Sequence, residues 1–315
     1  MRHLPRITVI LASIAAWSAG APAQECFPLS ENVGWIDSVV SVSSTSFSTP
    51  DEPPEDQASL SWHSAVTNLP GDWIRGIGLT ARPENLHRLA GIAAVTVGFL
   101  ASDRETYQFS GRMYDSSKPF HDATDFFVSL GDGQSQFILA GGLATYGLLS
   151  SDERFVRAAS QTVEAVLATG VVVQVLKRIS GRESPEAATQ PRGKWTVLPN
   201  LREYHKRQSS YYAFPSGHIA TSMAAVTVLA ENFSDEKWIR PVGYALVGCI
   251  GVSLVNRGYH WYSDLPLGVA IGYTFGMIAA HPGGNNLVQA SGPLVLISPM
   301  FTESGAKGVQ FALAF

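Results

Sequence analysis

Six apolar stretches rich in small residues follow one another between residues 89 and 280, and this train narrows the fold more than any other feature of the chain. They lie at about 89–101, 137–149, 158–176, 219–230, 242–255 and 267–280. Leucine, valine, isoleucine and alanine dominate them, a pattern that predicts helices. Most are only about 13 to 16 residues long, short of the roughly 20 that a lone membrane span needs. Glu164 interrupts one of them. Length alone therefore leaves a compact membrane bundle and a soluble one both open. Glycines such as Gly141, Gly248, Gly268, Gly272 and Gly276 permit close helix approach of the kind common in membranes. Charged residues make up 15% of the chain, against a globular norm of about 25%. The expectation is an all-α domain over 86–281, embedded in a membrane, with a soluble periplasmic bundle as the alternative.

The flanks read differently. Arg2 and Arg6, an apolar stretch over 7–19 and Ala21-Pro22-Ala23 form an export signal over 1–23. An uncleaved anchor would equally place the rest beyond the membrane. Serines crowd 42–48 and prolines and acidic residues fill 50–56, so an irregular, disordered lead is expected over 24–85. Trp62, Trp73 and Ile74 are a weak sign of an interfacial helix within it. Two apolar segments on either side of Gly305-Ala306-Lys307-Gly308 predict a short β-hairpin in the tail 282–315. An outer-membrane barrel would need a train of alternating strands, which the sequence lacks. Cys26 and Cys249 are too few for a disulfide framework and read as free thiols. There is no CxxC or HExxH zinc signature. A net charge of -4 argues against nucleic acid as the main partner.

Three polar signatures sit at the borders of the apolar runs. They are Leu176-Lys177-Arg178-Ile179-Ser180-Gly181-Arg182-Glu183-Ser184-Pro185, then Phe214-Pro215-Ser216-Gly217-His218, then Gly258-Tyr259-His260-Trp261-Tyr262-Ser263-Asp264. A phosphate ester needs its charge cradled, a nucleophile in line and an acid for the leaving oxygen. Lys177 and Arg182 offer cations near one helix end, arginine with planar paired donors and lysine with a point charge. The plain alternative is a basic helix end that favours the dipole and snorkels to water. Ser216 suits a helix cap, Gly217 admits close backbone approach, and a helix start attracts anions. His218 would then stand beside the phosphate as proton donor; a capped helix with a surface histidine is its plain alternative. His260 and Asp264, four apart, pair an imidazole with a carboxylate that can fix its tautomer and leave the other nitrogen nucleophilic. The loop 186–213 sets Arg192, Lys194, Arg202, Lys206 and Arg207 against Glu186 and Glu203. It is either an anion-attracting rim or a solvated loop.

On these residues the chain resembles the type 2 phosphatidic acid phosphatase/haloperoxidase superfamily. That family carries Lys-x6-Arg-Pro, Pro-Ser-Gly-His and Ser-Arg-x5-His-x3-Asp. Pro215-Ser216-Gly217-His218 matches in full, His260 and Asp264 match the last motif, and Lys177 and Pro185 the first. The resemblance spans about 177–264 and implies a six-helix-type bundle. It implies that His260 forms a phosphohistidine, that Asp264 orients it and that His218 is the general acid. It further implies that Lys177, Ser216 and Gly217 hold phosphate, that no metal or other cofactor is needed, and that vanadate binds as an inhibitor.

Two positions depart from the family pattern. Its arginines fall at Ser184 and Leu254. Losing a buried charge-assisted contact costs about 1.5–3 kcal/mol, so two losses would lower activity by orders of magnitude. Arg182, close to Ser184, and Arg257, midway between Leu254 and His260, are the expected replacements. The reading is an exported, envelope-facing phosphatase acting on a phosphomonoester or pyrophosphate, of a small molecule or a lipid. A vanadate-dependent haloperoxidase and a non-catalytic anion- or phospholipid-binding relic are its rivals. A transporter fits less well, because the polar groups cluster at helix ends rather than mid-span.

Overall fold

The computed structural model describes residues 64–115, 117–283, 294–301 and 307–314. The expected export signal, the lead up to residue 63 and Cys26 lie outside the described residues. The described chain is mostly helical. It runs through α1 (Ser64–Thr67), α2 (Leu69–Thr80), α3 (Leu86–Tyr114), α4 (Lys118–Leu130), α5 (Gly133–Ser150) and α6 (Glu153–Ser180). The short α7 (Leu201–Lys206), α8 (Gly217–Asn232), α9 (Ile239–Asn256) and α10 (Leu265–Ala280) follow. Strands β1 (Leu294–Phe301) and β2 (Lys307–Ala314) pair antiparallel, with Leu294 opposite Ala314.

Several elements differ from the sequence expectation. The lead expected to be irregular through 85 is helical from Ser64, because α1 and α2 find partners on α6. Trp73 donates its indole N–H to the Ala168 carbonyl at 3.1 Å, and the Asn68 amide donates to Glu164 at 3.2 Å. The glutamate that interrupts the apolar run is thus buried against a polar partner rather than exposed. Helix α3 continues past the apolar run through Arg104, Glu105 and Gln108, all residues that favour a helix. Helix α4 goes unmarked by any apolar run, since Val128 packs inward while Asp122 and Lys118 face solvent. Helix α6 extends at both ends: Asp152 caps its start by accepting from Arg154 N–H at 3.1 Å, and Gly181 ends it.

Helix α8 lies at the centre, buried from Ile219 through Ala230. Its Ile219, Met223 and Val226 meet Val247, Ile250 and Leu254 of α9. Its Ala225 and Leu229 meet Leu143 of α5 and Phe155 of α6. Helix α10 approaches α8 more closely than side chains normally allow. Gly268, Gly272 and Gly276 share one face of α10, and a Cβ on each would come within 2.7, 1.9 and 2.8 Å of the carbonyl oxygens of Ser216, Ala220 and Ala224. This backbone-to-backbone contact brings the starts of α8 and α10 side by side. Gly272→Ala is accordingly expected to cost at least about 1–3 kcal/mol, the usual range for overpacking. A denaturant midpoint equal to that of the parent chain would contradict the stated contact.

Three segments are long and apolar enough to cross a membrane by length and composition: Glu153–Ser180, Ile239–Asn256 and Tyr262–Ala280. Their outward faces are apolar. Val171, Val175 and Ile179 are exposed on α6, and Val242 and Val252 on α9.

Candidate functional site

The three signatures meet at one end of the bundle. Gly181 turns the chain at the end of α6 with a φ of 53°, and a Cβ there would lie 2.0 Å from the Thr196 carbonyl oxygen. Only glycine fits such a turn without strain. Ser216 caps α8, its Oγ accepting from Ile219 N–H at 3.3 Å. The Ser216 N–H donates to the Asp264 carbonyl at 2.9 Å, which ties the second signature to the third.

His260 is fully buried. Its Nδ1 lies 2.8 Å from the Ala213 carbonyl oxygen and 3.5 Å from Asp264 Oδ2. A carbonyl can only accept, so Nδ1 carries the proton and Nε2 keeps its lone pair. Ala213 is thus the nearer tautomer-fixing partner, and Asp264 stands behind it. His260 Nε2, His218 Nδ1 and Lys177 Nζ are all buried without a hydrogen-bond partner among the described residues. The two imidazole centroids are 6.2 Å apart, and Lys177 Nζ sits 4.8 Å from the centroid of Tyr212. Lys177 is fully buried rather than snorkelling. Burial holds both histidines well below the ordinary value of 6.5. The neighbouring imidazole and Lys177 add to the effect at His218, and Lys177 adds to it at His260. Nitrogen-15 spectra of histidine-labelled protein at pH 6.5 should therefore show both rings neutral, whereas an ordinary histidine is half protonated there. A protonated ring at either position would contradict this.

Behind His260 lies a closed ring of charges. The Arg182 guanidinium donates through Nη1 to Asp264 Oδ1 at 2.5 Å and to Ser263 Oγ at 2.6 Å. Through Nη2 it donates to Asp103 Oδ2 at 2.7 Å and to the Arg192 carbonyl at 2.9 Å. Asp103 also accepts from the Ser263 hydroxyl and, at 3.2 Å, from the Ser263 N–H. Asp264 Oδ2 accepts from Trp261 N–H at 2.7 Å. Trp195 and Trp261 flank the guanidinium at 4.8 and 5.3 Å. All three charged side chains are fully buried. Asp103, on α3, is the residue that sequence reasoning missed. It lies far upstream of every signature and reads there as the end of an apolar run.

A model of the PAP2 superfamily matches residues 158–286, which hold all three signatures. That part of the chain is similar to the PAP2 superfamily. A Lipid A 1-phosphatase of Porphyromonas gingivalis is 35% identical over 65 residues. That alignment covers 20% of this chain and spans only 15% of the relative's length. No solved structure matches the chain significantly.

Against the PAP2 pattern, the structure redistributes several of the expected roles. Arg182 does not stand in as a phosphate clamp, because both its terminal nitrogens are held by Asp103, Asp264, Ser263 and Arg192, and among the described residues only its Nε lacks a partner. Arg257 does not either. It turns toward α3 and α4, 3.3 Å from Asp125 and 2.9 Å from the Tyr114 hydroxyl. Ser216 has both its hydroxyl and its N–H engaged within the fold, so the helix-start donors left for an anion are the N–H groups of Gly217 and His218. Leu254 is fully buried in the apolar cluster of α8 and α9. Ser184 is also buried, and its Oγ has no partner among the described residues. Lys177, Gly217, His218, His260 and Asp264 do converge.

Proposed function

We propose that the chain is a membrane-bound phosphatase that hydrolyses a lipid-linked phosphomonoester or pyrophosphate through a phosphohistidine, without a metal cofactor. The observation that carries this reading is the convergence of three buried, unpartnered nitrogens, those of Lys177, His218 and His260, at the start of α8. Unpaired buried polar groups are costly, and an anionic ligand with several acceptor oxygens would relieve all three. The candidate spans and the relative named Lipid A 1-phosphatase support a lipid phosphate as the substrate.

In the proposed cycle the His260 Nε2 lone pair attacks phosphorus, and the bond from phosphorus to the leaving oxygen breaks. His218 gives that oxygen a proton. Water then attacks the phosphorus and gives a proton to His218, and the N–P bond breaks to release phosphate. His218 is neutral in the ligand-free site. A phosphate dianion beside it favours the imidazolium, so substrate binding itself would load the acid. Lys177 and the N–H groups of Gly217 and His218 would hold the equatorial oxygens. Arg182 and Asp103 act one step back, holding Asp264 and through it His260.

The test is phosphate release from phosphatidic acid, an isoprenyl diphosphate and p-nitrophenyl phosphate, with EDTA present. Release that EDTA abolishes would remove the metal-free mechanism. Vanadate is expected to inhibit, and vanadate-dependent bromide oxidation would favour the haloperoxidase instead. Silence on all three substrates would favour a non-catalytic anion binder. The burial of Leu254 and the outward turn of Arg257 are the observations that speak for that second reading.

A further inference from the structure

The loop between the first two signatures ends in an apolar tip that the phosphatase chemistry does not use. Val197, Leu198 and Leu201 are exposed at 69%, 71% and 59%, and Trp195 beside them is partly exposed. Around them Lys194, Arg202, Lys206 and Arg207 are also exposed. The tip stands on a rigid base. Thr196 N–H donates to the Gly181 carbonyl at 2.9 Å, and Lys194 N–H to the Glu183 carboxylate at 2.8 Å. Leu198 is held in the left-handed region at a φ of 52°, with its N–H on the Ile179 carbonyl at 3.0 Å. A leucine seldom adopts that conformation. Here the fold enforces it and displays the side chain outward.

The partner bond to Ile179 places the tip where the outer stripe of α6 ends. Val171, Val175 and Ile179 form that stripe at four-residue spacing, on a segment able to cross a membrane. The apolar surface therefore continues from the helix face onto the loop, and the cations begin where it stops. Apolar residues that insert beside a belt of lysine and arginine are how a segment seats itself in an anionic lipid interface.

We infer that the 194–207 loop is a membrane wedge: Val197, Leu198 and Leu201 enter the interface of an anionic bilayer, the flanking cations engage its headgroups, and the mouth of the site is held at headgroup level. This rests on the membrane-bound reading above.

The test places one fluorophore on Leu198→Cys in the full chain with Cys26 and Cys249 changed to serine. The protein is reconstituted in vesicles of phosphatidylethanolamine and phosphatidylglycerol, with or without bromine on the acyl chains. Bromine is expected to quench a label at 198 and to spare one at Lys206→Cys. A label at 198 that bromine leaves bright overturns the wedge, as does one that responds only to protein dilution, which would mean contact with a second copy. In a second arm, Val197→Ser with Leu201→Ser should raise the apparent KM for vesicular phosphatidic acid about tenfold and leave p-nitrophenyl phosphate turnover unchanged. Equal losses on both substrates overturn it. Quenching at 198 in a chain that hydrolyses none of the substrates would support the wedge and sink the phosphatase reading alone.

Discussion

His260→Ala is expected to lower phosphate release by about 10,000-fold or more, the usual scale for removing a covalent nucleophile. The loss should be the same on all three substrates, because it strikes the bond-forming atom and not a contact with the leaving group. His260→Asn separates chemistry from folding. Its amide nitrogen can still donate to the Ala213 carbonyl, which the ring now holds at 2.8 Å, but it has nothing at the position of Nε2. Equal loss in both variants, with unchanged thermal midpoints, assigns the effect to Nε2. Wild-type chain quenched in alkali after brief contact with substrate should carry protein-bound phosphate, and neither variant should. Turnover by His260→Asn within tenfold of the parent would end the phosphohistidine mechanism.

Asp103→Ala should produce the second large effect, and mainly in stability. The variant leaves the fully buried Arg182 with Asp264 as its one remaining carboxylate. Breaking a buried ion pair by removing one partner typically costs about 3–5 kcal/mol, since the other charge stays buried. Asp103→Asn keeps an acceptor for the guanidinium and should cost less. The double variant Asp103→Ala with Arg182→Ala should be less unstable than the sum of the two single changes, because it removes the stranded charge as well. Activity should follow by a different route. If Arg182 tilts, Asp264 and His260 move with it, and a misplacement on the order of 1 Å is enough to lower kcat about 100-fold. KM should change little, because Lys177 and the start of α8 are untouched. An Asp103→Ala chain as stable and as active as its parent would show that the ring does not position His260.

How far the site was legible follows from where its information resides. Lys177, His218 and His260 lie beside helix ends, and the apolar runs mark those ends in the sequence. Their convergence follows once the starts of α8 and α10 lie side by side, next to the end of α6. The roles expected of Arg182 and Arg257 went astray for one shared reason. Distance along the chain from Ser184 and Leu254 is what suggests both, whereas a guanidinium goes to whichever carboxylate the fold brings near. For Arg182 those are Asp103 and Asp264, and for Arg257 it is Asp125. No periodicity encodes such pairings. Helices α1, α2 and α4 escaped because they are short or two-faced, and their stability comes from α6 and α9 rather than from their own composition.

The glycine face of α10 has one further consequence. Packed side chains can rotate and let neighbouring helices slide by small steps, which is how shear motions proceed. Carbonyl oxygens of α8 set against bare Cα atoms have no such freedom. A slide of one residue would drive a side chain into the Ala220 carbonyl, where even a Cβ at Gly272 would have only 1.9 Å. His218 and Asp264, at the starts of these two helices, are therefore held in fixed register. This end of the bundle therefore cannot adjust its shape by helix shear.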